Sequence, residues 1–173
     1  MSMAQRYALA ESDDAFLATT ARRYEHTVEI AAGPDTVWAA LTGDDALVSW
    51  STVITGIQWT TPRPFGVGTT RTVTLGHLIR LDERFYRWDD GERMTFTVDA
   101  ASIPGLRRFA EDIALTPHAG GTRLTWTFAL EGEPALRPLL ALAGPGNRLV
   151  TAAIAGGIAH RIRTSRERGT DVR

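Results

Sequence analysis

The sequence contains no cysteine and no lysine. Without cysteine there are no disulfides, no thiolate nucleophile and no thiolate metal site. Without lysine there is no phosphate-binding P-loop, and Gly66-x-Gly68 lacks the strand–helix setting of a dinucleotide fingerprint. All 19 basic residues are therefore arginine. With abundant alanine and glycine, that pattern reads as the codon bias of a high-GC bacterium, so no single arginine carries much functional weight by itself. The four histidines, His26, His77, His118 and His160, show no metal-binding spacing, and no metal site is expected. Ser49 and Ser51 sit in no nucleophile elbow. No apolar run approaches the ~18 residues of a membrane span. The first fourteen residues carry acids where a secretory signal needs an apolar run. A cytoplasmic location without stable membrane anchoring is expected. Formal net charge is -1, so no overall field favours nucleic acid. The basic run 161–168 reads as a solvated helix end whose arginines complement the helix dipole.

What is present is enough for one domain. The chain has 173 residues, 43% apolar and 23% charged, an ordinary globular composition with room for a sizeable core. Residues 1–22 read as a leader with a short helix over 12–22 capped by Ser12. A first strand is expected over 24–31, with His26, Val28 and Ile30 on one face. His26 reads there as a packing or edge residue. Pro34 and Asp35 suit the first turn of a helix carrying Val37, Trp38 and Leu41. A second short helix is expected over 46–50. A strand over 53–59 follows, with Gly56 as a bulge.

The stretch 68–130 reads as a long antiparallel meander, with strands over 69–75, 78–88, 92–100, 106–116 and 122–131 separated by turn formers. Its alternation gathers an apolar face that includes Val73, Leu75, Ile79, Leu81, Phe85, Phe96, Phe109, Trp126, Phe128 and Leu130. The same alternation places Arg71, Glu83 and Glu111 on that face. A one-residue slip inverts a strand's faces. The register that keeps the faces pure uses a three-residue loop over 76–78 and pairs Leu75 with Ile79, Val73 with Leu81 and Arg71 with Glu83. It also pairs Phe85 with Phe96, Glu83 with Val98 and Glu111 with Phe96. Glu83 and Glu111 then have Cα atoms roughly 12 Å apart, too far for a retaining glycosidase pair. Glu111 has no evident partner. Either it is solvated near the end of the sheet, or it faces a cavity, and Arg161 is a conceivable mate.

The last region reads as an apolar helix over 135–143, a break at Gly144-Pro145-Gly146, and a long helix from Asn147 as cap to about 168. Val150, Ile154, Ile158 and Ile162 form its stripe. Gly156 and Gly157 weaken the helix, which makes sense where Trp126 or a ligand approaches its backbone. Leu136, Leu139, Leu140 and Leu142 read as core, as a gate, or as a membrane-contacting patch. The loop 62–66 and the Gly144–Gly146 break are the candidate mouth.

Several local segments resemble the START-like, or SRPBCC, superfamily. Residues 26–41, His-Thr-Val-Glu-Ile-Ala-Ala-Gly-Pro-Asp-Thr-Val-Trp-Ala-Ala-Leu, are similar to its first strand and helix. Trp50, the run Val67-Gly-Thr-Thr-Arg71, Asp82-Glu-Arg-Phe85 with Asp89-Asp-Gly91, and Gly120-Gly-Thr-Arg-Leu-Thr-Trp126 resemble later family elements. The resemblance covers 23–168 and is nearest to the polyketide cyclase/dehydrase-like branch. It implies an α+β helix-grip fold: a strongly curved antiparallel sheet of about seven strands around a long C-terminal helix, with two short helices between strands 1 and 2. It also implies a cavity between sheet and last helix for a hydrophobic small molecule such as a polyketide or lipid, with no cofactor. The expected ligand-facing residues are Trp59, Arg71, Glu83, Phe85, Phe96, Phe109, Glu111, Trp126, Phe128, Ile154 and Ile158. No catalytic motif maps residue by residue, and the resemblance is a poor guide to function, because the superfamily hosts binders, transporters and enzymes alike. Three functions stay open: a binder or carrier, an aromatase/cyclase or dehydratase using Arg71 and Glu83, and a ligand-gated interaction module. Nothing in the sequence speaks to oligomeric state.

Overall fold

A computed structural model describes residues 5–170, so the expectations for the first four and last three residues lie outside the described residues. Seven strands form a curved antiparallel sheet in the order β2-β8-β7-β6-β5-β4-β3, where β2 is Arg23–Ile30, β3 Ile54–Trp59, β4 Thr70–Leu75, β5 Ile79–Asp89, β6 Arg93–Ala101, β7 Leu106–His118 and β8 Gly121–Gly132. The two edge strands are consecutive in sequence and are joined through helix α2 (Pro34–Thr42). The concave face closes on α4 (Gly144–Thr170), which at 1.5 Å per residue is roughly 40 Å long. This is the helix-grip arrangement.

The expected register holds: Arg71 lies opposite Glu83, Val73 opposite Leu81, Leu75 opposite Ile79, and Phe85 opposite Phe96. Positive φ at Gly76 (54°) and His77 (63°) closes the β4–β5 turn. The bulge at Gly56 is present. Two further bulges in the β5–β6 pairing, one where the ladder skips Asp99 of β6 beside Asp82/Glu83 and one where it skips Tyr86 of β5, bend the sheet around the helix.

Three expectations change, and the leader is found docked on the sheet. Its strand β1 (Tyr7–Ala8) pairs with Ala100 and Ala101 of β6. Leu9 N–H then donates to Asp99 O and Ala10 N–H to Arg107 O, so the leader fills a slit where β6 and β7 splay apart. Helix α1 is Asp14–Thr19, capped by Asp13, whose carboxylate accepts from Phe16 N–H at 2.9 Å, rather than by Ser12. Phe16 and Leu17 bury against Ala110, Ala129 and Tyr86 on the convex face. The second short helix over 46–50 is a run of turns, because Leu47 adopts φ 65° and breaks helical continuity. Finally, Gly144-Pro145-Gly146 is the first turn of α4, not a break. Pro145 is accommodated there because the first-turn N–H groups need no helical partner, and Asn147 sits inside the helix with its N–H bonded to Ala143 O at 2.9 Å. A 3-10 turn (Pro134–Leu136) and helix α3 (Arg137–Leu142) precede it.

The glycine pair of α4 is resolved by packing. It is Trp50, not Trp126, that approaches the backbone. A Cβ at Gly157 would stand 2.6 Å from Trp50 Cδ1 and 2.9 Å from Trp50 O. Trp50 Nε1–H also donates to Ile154 O at 3.2 Å, fixing the ring on the helix. At Gly156 a Cβ meets open space. The neighbours should therefore respond with opposite signs in chemical denaturation. Gly156→Ala is expected to stabilise by about 0.5–1 kcal/mol through helix propensity. Gly157→Ala is expected to lose about 1–3 kcal/mol because the overpacking outweighs the same gain.

Candidate ligand-binding cavity

Between the concave face of the sheet and α4 lies a cavity of about 240 Å³. Its wall is mostly aliphatic: Val73, Leu75, Ile79 and Leu81 from β4 and β5, and Val150 and Ile154 from α4. Leu47 reaches it from the turns after α2, and Phe109, Trp126 and Phe128 come from β7 and β8. The half-exposed Ile103 and Val150 mark its mouth, with Leu140 of α3 beside them. The loop 62–66 lies elsewhere, with Phe65 stacked on Trp59. Leu136 and Leu140 seat directly on Gly105 and Gly132, positions where a Cβ would collide with the leucine methyls. Leu142 points into solvent at 82% exposure. The Leu139 side chain lies outside what is described.

Three ionisable side chains share this apolar wall. Arg71, Glu83 and Glu111 are only 2%, 3% and 7% exposed. Arg71 Nε–H donates to Glu83 Oε2 at 2.5 Å. The guanidinium lies 5.2, 5.0 and 4.9 Å from the ring centroids of Trp59, Phe85 and Phe96. A cation held among ring faces recovers part of its lost hydration through the ring quadrupoles. Burial holds the Glu83 carboxyl above the usual carboxylate range, against the smaller opposing pull of the adjoining Arg71.

Glu111 is not at a solvated sheet end. It lies opposite Phe128 of β8, and Trp126 Nε1–H reaches it diagonally, donating to Oε2 at 2.7 Å. Arg161 is engaged elsewhere, with Asp45 and Ser49. Burial first, and the negative charge of Glu83 second, push the Glu111 carboxyl up to about 8, against the opposing pulls of Trp126 and Arg71. Two carboxyls beside one guanidinium thus hold one proton at neutral pH. Glu111, which lacks the direct arginine contact, is its main seat.

Of the eleven residues expected at the ligand, Arg71, Glu83, Phe109, Glu111, Trp126, Phe128 and Ile154 line the cavity. Trp59, Phe85, Phe96 and Ile158 do not. The first three stand behind the wall as the ring cage of Arg71, and Ile158 is fully buried in the core. Asn147 and Thr151 line the cavity without having been expected there. Thr151 is tied to β2 through His26 Nε2 at 2.8 Å, which gives His26 its packing partner. Leu47 had no signal in the sequence, since only its turn geometry brings it in.

Residues 21–164 match the family described as "Polyketide cyclase / dehydrase and lipid transport". The chain belongs to this family. The uncharacterized protein Rv2574 of Mycobacterium tuberculosis is 40% identical over 135 residues, covering 74% of this chain and 81% of the relative. Among solved structures, TTHA0849 from Thermus thermophilus superposes with TM-score 0.68 at 19% identity, covering 83% of this chain and 98% of that one. DynU16, from the dynemicin biosynthetic locus, gives TM-score 0.64 at 19% identity over 83% of this chain and 48% of its own. A START superfamily protein from Mycobacterium smegmatis gives 0.57 at 15% identity over 76% and 96%. These likenesses establish the START-like fold. No helix among the described residues is long and apolar enough to cross a membrane.

The charge cluster generates two expectations. Arg71→Met leaves Glu83 buried without its cation and should cost about 3–5 kcal/mol at pH 8, whereas Arg71→Met/Glu83→Leu should recover most of that loss in the same denaturation assay. The second concerns pH. Glu111 titrates higher in the folded than in the unfolded chain, so the folded state binds the extra proton between about 4.5 and about 8. The resulting stability is fully present below the unfolded value and is lost as pH rises through the folded value. Glu111→Gln should flatten the stability profile in that window and should be the more stable protein at pH 8.

Proposed function

We propose that this protein binds a hydrophobic or amphipathic small molecule, such as a polyketide or lipid, between the sheet and α4. The observation that carries this reading is the cavity itself: an almost wholly aliphatic and aromatic wall with one buried polar cluster set into it. Ligand pockets have this composition, apolar surface for affinity and a few fixed polar groups for orientation. Family membership supports the same reading. The volume of about 240 Å³ lies below the roughly 300–1,000 Å³ usual for drug-sized ligands. At ~30 Å³ per water-sized group it encloses roughly eight heavy atoms. A longer polyketide or lipid would leave part of its length at the mouth beside Ile103, Val150 and Leu140. A cytoplasmic carrier or sequestering protein is the corresponding cellular role.

A second reading is supported by a specific feature. Arg71, Glu83 and a proton-bearing Glu111 face the same apolar space, which is also what an aromatase/cyclase or dehydratase would need to polarise a carbonyl chain. If Glu83→Gln abolished turnover of a bound polyketide without weakening its binding, the pure binder reading would fail. The primary test is direct. Native mass spectrometry of freshly purified protein is expected to show mass beyond the polypeptide, and apolar compounds should raise Tm by mass action. Bare polypeptide mass together with an unmoved Tm across a panel of apolar compounds would overturn the reading.

A further inference from the structure

The polar cluster is asymmetric, and the asymmetry says what kind of ligand end it takes. Glu83 is spent on Arg71. Glu111 has one hydrogen-bond partner among the described residues, the Trp126 indole at Oε2, and it lines the cavity. An indole N–H only donates, so Oε2 acts as the acceptor and carbonyl-like oxygen of the acid. The proton then belongs on Oε1, which the Trp126 contact leaves to the cavity.

We propose that Glu111 is the recognition point of the cavity, a neutral carboxylic acid that donates its O–H to the carbonyl oxygen of an uncharged, otherwise apolar ligand such as a ketone, ester or lactone. This rests on the cavity-binding reading and adds the ligand's functional group to it. Arg71 of β4 and Glu83 of β5 are the charged groups facing Glu111, and their charges cancel. β6 contributes Phe96 opposite Glu111, and β8 contributes Trp126 and Phe128. The side of α4 that lines the cavity carries Asn147, Val150, Thr151 and Ile154, none of them ionisable, and His26 of β2 stands behind Thr151.

The competing ligand ends fit less well. A carboxylate would bring a second anion beside Glu83 into a space with no spare cation. An ammonium would ionise Glu111 but would sit beside Arg71 and leave donors unsatisfied against an aliphatic wall. A carbonyl adds no charge and supplies the acceptor that the Glu111 O–H lacks.

The test uses eight-carbon probes sized to the cavity: 2-octanone, octane, octanoate and octylamine, each titrated against the full-length protein at pH 6 and pH 9. Melting curves serve as the readout for octane. With the acid form as the binder and its proton leaving at about 8, the Kd for 2-octanone should weaken roughly tenfold at pH 9. Glu111→Gln keeps an N–H donor at every pH, so its Kd should be flat across the range. Octane should bind more weakly than 2-octanone at pH 6 and with no pH dependence. A flat wild-type profile for 2-octanone, octane equal to 2-octanone at pH 6, or octylamine or octanoate bound more tightly than the ketone would each overturn the proposal while leaving the cavity reading intact. If none of the four probes bound at either pH, the cavity reading itself would fall, and this inference with it.

Discussion

A buried arginine cannot be left alone, and much of this domain is arranged around Arg71. Its charge costs several kcal/mol to remove from water. The structure offsets that cost on two sides. Within the sheet, the β4–β5 register sets Glu83 directly across the ladder, so the ion pair forms between neighbouring strands without any long-range adjustment. On the same concave face, Trp59, Phe85 and Phe96 supply three ring surfaces. Those rings come from β3, β5 and β6, so satisfying one guanidinium ties three strands together. Curvature takes part as well, because the bulges at Asp99 of β6 and Tyr86 of β5 flank Glu83 and Phe85, the two residues that β5 contributes to the arrangement.

The same arrangement explains why the sheet side of the cavity wall is polar at one spot only. Once Arg71 is paired and caged, its charge is internally neutralised, and the remaining surface can be aliphatic without penalty. Glu111 then becomes the group with capacity left over. Desolvation and a neighbouring carboxylate act in one direction on it, and the proton it keeps at neutral pH is the consequence. A pair of carboxyls that would repel one another if both were ionised instead becomes one anion and one acid, each with a separate partner.

Much of this was legible in the sequence, for identifiable reasons. Alternation and turn formers determine register, since only one loop length at 76–78 keeps both strands' apolar residues on one face. That logic delivers the Arg71–Glu83 pair and the Phe85–Phe96 pair from residues alone. The Glu111–Trp126 contact is diagonal across β7 and β8, and reading only directly opposed residues conceals it. Diagonal neighbours are within reach of long and aromatic side chains, so the signal was present in the same register. Trp59, Phe85 and Phe96 lie on the expected concave face but deeper than the cavity wall, because alternation gives the side of the sheet and not the distance from the cavity. The turns at 46–50 and the seat of Trp50 on Gly157 were not legible. One depends on a positive φ at a leucine and the other on how a helix docks across the molecule.

The slit between β6 and β7 bears on the order in which the molecule assembles. Ser12 finds Thr97 eighty-five residues later, and α1 lies on β7 and β8, which follow later still. The leader therefore leaves the ribosome before the strands it lies on, and its seat exists only after most of the sheet has been synthesised. Until then its apolar side chains wait without partners. Cotranslational folding of this domain must therefore fit residues 7–19 onto strands that are made long after them.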